Sequence, residues 1–160
     1  MTRQTARLRT LIGSALVAWL AVSGSAEAHR KPRQQPPPFV YAGGTEEFPP
    51  SCAGNLEVSS ESLVFKCSQA TVAIPFSSIS LMQYRSNVSS RVSKLKLKWT
   101  AFPLKQGGRR NRFFTVVYSQ PPATHVVILE VAPPAMRPYL AEIELKSGRR
   151  VEVMGYEESP

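Results

Sequence analysis

Two histidines and eleven side-chain carboxylates, all of them glutamates, are what this 160-residue chain offers for acid–base chemistry. Their spacing limits what they can do. His125 stands in a β-branched run, and its nearest carboxylate in sequence is Glu130, five residues on. In a regular strand that offset places the two on opposite faces, so His125 is expected as a half-buried or exposed strand residue rather than a base. Glu142 and Glu144, two apart on a predicted helix, do not share a face. Glu46-Glu47 reads as a loop pair and Glu157-Glu158 as a tail pair, both solvated charge. Gly107-Gly108 lacks the surrounding spacing of a phosphate-binding loop or a dinucleotide fingerprint. With no converging base, nucleophile and orienting group, the chain reads as a non-enzyme. No catalytic residue, metal site, cofactor or small-molecule substrate is expected.

The two cysteines, Cys52 and Cys67, have a different reading. Zinc would need two more ligands, and the histidines available are His29, in a proline-rich stretch, and His125. An even cysteine count in an exported chain points to a disulfide. The loop it closes would hold about 15 residues, worth roughly 3 kcal/mol by chain entropy.

Charge is the strongest remaining signal. Residues 91–114, RVSKLKLKWTAFPLKQGGRRNRFF, contain eight basic residues and no acid: Arg91, Lys94, Lys96, Lys98, Lys105, Arg109, Arg110 and Arg112. Leu95, Leu97 and Trp99 alternate with the three lysines, which predicts a strand with one dry and one charged face. The segment 91–112 is therefore expected as a basic hairpin. Three readings apply to it. Lysines can keep a strand soluble and block edge-to-edge pairing. They can form a site for an anionic membrane surface or polymer, at about 1 kcal/mol per basic residue. Nucleic acid is disfavoured, because stacking needs exposed aromatics and Trp99 and Phe113 are expected to face the core.

The elements that must position these residues are mostly strands. Period-two or β-branched runs occur at 39–42, 55–58, 63–67, 70–76, 79–84, 94–99, 113–118 and 125–131. Val58 is expected opposite Leu63, which sets Leu56 opposite Phe65 and Gly54 opposite Cys67 and leaves Cys52 within bridging reach. In 79–84, Ile79, Leu81 and Gln83 are expected to oppose Met82 and Tyr84. Met136, Tyr139, Leu140 and Ile143 have helical spacing after Pro133-Pro134, and Gly148 supplies the stop. Pro138 suggests that the regular helix starts near Arg137. A last short strand is expected within 150–153. The class is mainly β: a bent antiparallel sheet or partial barrel of about seven strands, capped by one C-terminal helix.

Several phrases carry a resemblance. Gly54-Asn55-Leu56-Glu57-Val58, Leu63-Val64-Phe65 and Ile74-Pro75-Phe76-Ser77-Ser78-Ile79 resemble the opening of pleckstrin-homology-like (PH-like) and GRAM-like domains. Tyr139-Leu140, Ile143-Glu144 and Ser147-Gly148-Arg149-Arg150-Val151-Glu152 are similar to the terminal helix and "T-G-K-K-V-E" tail of exported bacterial proteins of this type, with serine at 147 in place of threonine. The likeness covers roughly residues 39–153 and implies a binding or scaffold module. Glu46 and Glu47 occupy the region where inositol-phosphate binders carry basic residues, so that ligand is not implied.

Residues 1–28 look like a secretory signal: Arg3, Arg7 and Arg9, an apolar run from 11 to 22, then Ala26-Glu27-Ala28. The apolar run is short for a spanning helix, though an uncleaved leader would act as a membrane anchor. Cleavage would leave a periplasmic or secreted chain with 17 basic and 10 acidic residues. A basic proline-rich linker, 29–38, precedes the domain at 39–154, and 155–160 is a tail. The expected function is an exported, non-enzymatic module that engages an anionic surface or an envelope protein through 91–112. The alternative is a purely structural or peptide-binding domain.

Overall fold

The computed structural model describes residues 37–103 and 111–154. The leader, residues 29–36 of the linker, the hairpin-tip residues Lys105, Arg109 and Arg110, and the 155–160 tail lie outside the described residues.

The first apolar run becomes β1 (Phe39–Gly44), which pairs antiparallel with β2 (Ala53–Val58) and with β7 (Ala123–Val131). From β2 the chain reverses into β3 (Ser62–Cys67), with Ser59 Oγ accepting from the amides of Glu61 and Ser62 at 3.2 and 2.9 Å. The register is the expected one, with Val58 opposite Leu63, Leu56 opposite Phe65 and Gly54 opposite Cys67. Cys52 and Cys67 form the disulfide with their Cα atoms 6.0 Å apart, inside the usual bridging range. β4 (Thr71–Pro75) follows, then a single 3-10 turn at Phe76–Ser78 and β5 (Ile79–Arg85).

β5 departs from simple alternation. Its register with β6 (Arg112–Gln120) shifts between Ile79 and Leu81, so Ser80 bulges out. Ile79 consequently packs on the same side as Met82 and Tyr84, while Leu81 turns to the other. The expected grouping of Ile79 with Leu81 is corrected by that one extra residue, which reverses side-chain alternation.

The strands form one open mixed sheet in the order β4-β3-β2-β1-β7-β6-β5-β8. β8 (Glu152–Val153) lies parallel to β5, and the other pairings are antiparallel. Each face of the sheet has a cover. On one side Met136 and Ile143 of α2 (Pro133–Ser147) share a core with Phe39, Leu56, Phe114 and Leu129. Ala135 and Met136 both donate to Ala132 O, so the helix begins at Pro133, not near Arg137 as expected. Pro138 falls early enough to forfeit only a bond to the first turn. Gly148 ends the helix at φ 63°, the left-handed position glycine tolerates best.

On the other side lies a smaller core of Val92, Phe113, Val117, Val126 and Ile128. Leu95, Leu97 and Trp99 pack against it. The segment they belong to is not a strand: α1 (Ser90–Ser93) is one helical turn, and 94–99 continues without ladder pairing. The expected first arm of a basic hairpin is instead a strap lying over the sheet. The physical reason is that β6 already has both neighbours, β5 and β7. An apolar row arriving there can be buried only on the sheet's face. Double covering also explains why Phe113 to Tyr118 are all buried, as continuous apolar runs in central strands require.

A chain of polar contacts closes the strap's start. Ser89 caps α1 by accepting from Val92 N and donates its hydroxyl to Gln83 Oε1 at 2.6 Å. Gln83 Nε2 donates to Glu152 at 2.6 Å, and Glu152 also accepts from Arg91. Gln83 is 3 % exposed, so Gln83→Leu strips partners from two groups at once. We expect a loss of about 1–3 kcal/mol, measured as a shift of the urea midpoint at constant m-value. An unchanged midpoint would show that the contacts are incidental.

Candidate functional site

The strap turns the lysine row outward. Lys94, Lys96 and Lys98 are exposed while Leu95, Leu97 and Trp99 are half-buried. The predicted split into dry and charged faces therefore survives the loss of the strand, because alternate residues of a strap held by apolar anchors must still point away from the sheet. Among the described residues none of the three lysines forms an ion pair. Trp99 packs edge-on to Phe102 with ring centroids 4.9 Å apart, closing the apolar end of the strap.

The other basic residues of the run are placed differently. Arg91 pairs with Glu152 at 3.2 Å, both side chains largely solvated, so the pair adds little stability. Arg112 begins β6 and donates to Met154 O at 3.0 Å. It is tied to the sheet's far edge rather than to the lysine row.

Where the strap ends, three elements converge. Thr100 Oγ1 lies 3.0 Å from Gly44 O and 2.7 Å from Glu46 O. Its amide also donates to Gly44 O. Thr45 N donates to Val126 O, and Val126 N donates back to Thr45 Oγ1 at 2.9 Å. The end of β1 is thereby fastened to the strap and to β7, and Glu46 is delivered under His125.

Glu46 is the centre of this cluster. Its Oε1 lies 2.8 Å from His125 Nδ1, accepts from Tyr118 Oη at 2.7 Å and lies 3.3 Å from Thr45 Oγ1. Tyr118 and His125 are directly opposed across β6 and β7, and their rings stack at 5.3 Å. Burial, then the hydrogen bond and the Glu46 charge, push the Tyr118 phenol well above its ordinary range. Burial likewise raises Tyr41, whose hydroxyl donates to Glu46 O at 2.9 Å. Tyr118 thus remains a donor, and a carboxylate acceptor in turn makes Nδ1 the protonated ring nitrogen. The expectation that Glu46 is solvated loop charge is corrected. Its side chain is only 23 % exposed and is held by three side chains.

No protein-family model matches this chain, and no curated protein matches it. The site is read from its geometry alone.

His125 lines an open cleft of about 560 Å³ between the strap and the β6–β7 turn. The polar lining includes Thr45, Lys96, Lys98 and His125, and the apolar lining includes Leu97 and Pro122. Two strap lysines foreseen as surface charge therefore belong to a concavity. Sequence reasoning did not bring Glu46 to His125, because they lie 79 residues apart and the loop gave no periodic signal. Nor did it foresee a second basic cleft of about 220 Å³, where Arg149 and Arg150 join Arg91 beside Ser80 and Glu152. The cue available was Arg149-Arg150 at the start of the expected last strand.

Among the described residues no group of three or more histidine, cysteine or acidic side chains is arranged to hold a metal ion. The ring's hydrogen bonds to described residues run through Nδ1. What this arrangement supplies is an oriented imidazole beside two ammonium groups.

Proposed function

We propose that this protein is an exported binding module that docks on an anionic surface through the lysine row of its strap. The observation that supports this most directly is that Lys94, Lys96 and Lys98 project together from a segment anchored by Leu95, Leu97 and Trp99, without ion-pair partners among the described residues. Their charge is free to act outward, and the anchored backbone lowers the entropy lost on docking. Seven antiparallel strands followed by a helix across one face support the PH-like reading. The disulfide suggests an oxidising compartment, and no helix among the described residues is long and apolar enough to cross a membrane.

Sedimentation with phosphatidylglycerol and phosphatidylcholine vesicles tests the reading. Binding should require the anionic lipid and weaken as salt is raised. The variant Lys94→Glu/Lys96→Glu/Lys98→Glu should lose about 3 kcal/mol or more, at about 1 kcal/mol per lysine, which is over about a hundredfold in partitioning. Binding indifferent to lipid charge, salt and the triple change would refute it.

A further inference from the structure

The cleft beside the strap has a chemistry that surface charge alone does not explain. Lys96 and Lys98 bring charge to its lining, Leu97 and Pro122 bring apolar surface, and Thr45 and His125 line it as well. The ring is held by Glu46 through Nδ1 at 2.8 Å and stacked on Tyr118. With Nδ1 engaged, Nε2 is the nitrogen left for a ligand. Two ammonium groups and an imidazole acceptor beside an apolar wall suit an amphiphilic anion that keeps a hydroxyl on its head, the head taking these polar groups while its body covers Leu97 and Pro122. An unadorned inorganic anion would leave that wall wet, and a neutral amphiphile would leave two ammonium groups unanswered. At about 560 Å³ the cleft falls in the size range of small-molecule sites.

We propose that this cleft binds the oxyanion head and first part of the apolar body of an amphiphilic anion. Lys96 and Lys98 pair with the head, His125 Nε2, the unprotonated ring nitrogen, accepts from a hydroxyl of that head, and Glu46 and Tyr118 position the ring. The proposal rests on the anionic-surface reading for Lys96 and Lys98, and it adds residues, His125 and Glu46, that a flat charged surface would not use. The same head chemistry can come from a free alkyl phosphate or from a lipid in a bilayer.

The test is titration of the full chain with octyl phosphate, below its micellar concentration, followed by amide NMR and calorimetry. Inorganic phosphate and octanol serve as half-ligands. Saturable binding of octyl phosphate is expected, shifting the signals of residues 96–98 and 122–125, with neither half-ligand reproducing it. Lys96→Gln/Lys98→Gln and His125→Phe should each weaken it about tenfold or more, the scale of a lost charged hydrogen bond, whereas Arg137→Gln, at an exposed position of α2, should leave it unchanged. Glu46→Gln should weaken it less than His125→Phe while the ring's NMR signals report a changed orientation. Circular dichroism of each variant separates lost binding from lost folding, and His125→Gln replaces any variant that unfolds.

The outcomes separate the two readings. Octyl phosphate bound at the cleft, with anionic vesicles ignored, would keep the cleft and a free amphiphile as its ligand while refuting the surface reading. Vesicle binding that competes with octyl phosphate would assign the head to a lipid. Equal shifts with inorganic phosphate or octanol, or octyl phosphate binding indifferent to the lysine and histidine changes, would overturn the cleft proposal whatever the vesicles do.

Discussion

Replacing Cys52 and Cys67 together by alanine should lower the stability of this domain by about 3 kcal/mol. The bridge spans 15 positions, and closing a loop of that size restricts the unfolded chain by roughly that amount in the chain-entropy model. Both cysteines are buried, at 8 % and 6 % exposure, within the main core, so some packing is lost as well. The consequence reaches the candidate site. Tyr41 N donates to Cys52 O, and Phe48 packs between Tyr41 and Phe65 with centroid distances of 4.9 and 5.4 Å. The bridge thus helps to hold the loop that carries Glu46. Urea unfolding of the oxidised protein against the double variant measures the loss, and the His125 ring signals report whether Glu46 is still seated. Equal midpoints would show that the core alone holds the loop.

Gly44→Ala should cost about 3 kcal/mol or more and should disorganise the Glu46–His125 pair. At Gly44 the backbone φ is 150°, and an added Cβ would stand 2.1 Å from Val126 O and 3.1 Å from Tyr41 Oη. The carbonyl has no room to yield, because it belongs to β7 and accepts from Thr45 N. Relief would have to come from parting β1 and β7, which loses the Thr45–Val126 contacts and the fastening of Thr100 to Gly44 O. Overpacking of this kind costs roughly 1–3 kcal/mol, and the lost hydrogen bonds add about 1 kcal/mol each. Thermal unfolding gives the stability change, and the amide signals of residues 124–126 give the local one. A variant with a wild-type midpoint would mean that the strands separate more easily than their pairing implies.

These two effects arise at positions that differ in how far the sequence reveals them. The disulfide was legible because the alternation of Leu56, Val58, Leu63 and Phe65 fixes the β2–β3 register, and that register carries Cys67 toward Cys52. The helix was legible from its apolar spacing and its glycine stop. Its start was misplaced because a proline near a helix N-terminus removes a bond that matters little there. The crowding around Gly44 was not legible, since nothing in the sequence near it names Val126.

The strap shows where periodicity stops being informative. Leu95, Leu97 and Trp99 alternate with lysines, and alternation reports which residues face inward, not what they pair with. Leu95, Leu97 and Trp99 do face inward, but they do so without a strand ladder. Strand pairing depends on whether an unpaired edge is available, and both edges of β6 were occupied by β5 and β7. In the same way, β6 and β7 read only as apolar runs, and it is the two cores, one on each face of the sheet, that bury them twice over.

By itself, then, the sequence determined the mainly β class, the β2–β3 register with its disulfide, the C-terminal helix and the outward row of Lys94, Lys96 and Lys98. Each of these follows from contacts between residues close in the chain or from a period that one element imposes on itself. Tertiary structure alone decided that the lysine segment is a strap, that Ser80 bulges and that Glu46 lies under His125 to make a cleft with Lys96 and Lys98. Those depend on which distant segments share a sheet face, and local periodicity carries no information about that choice.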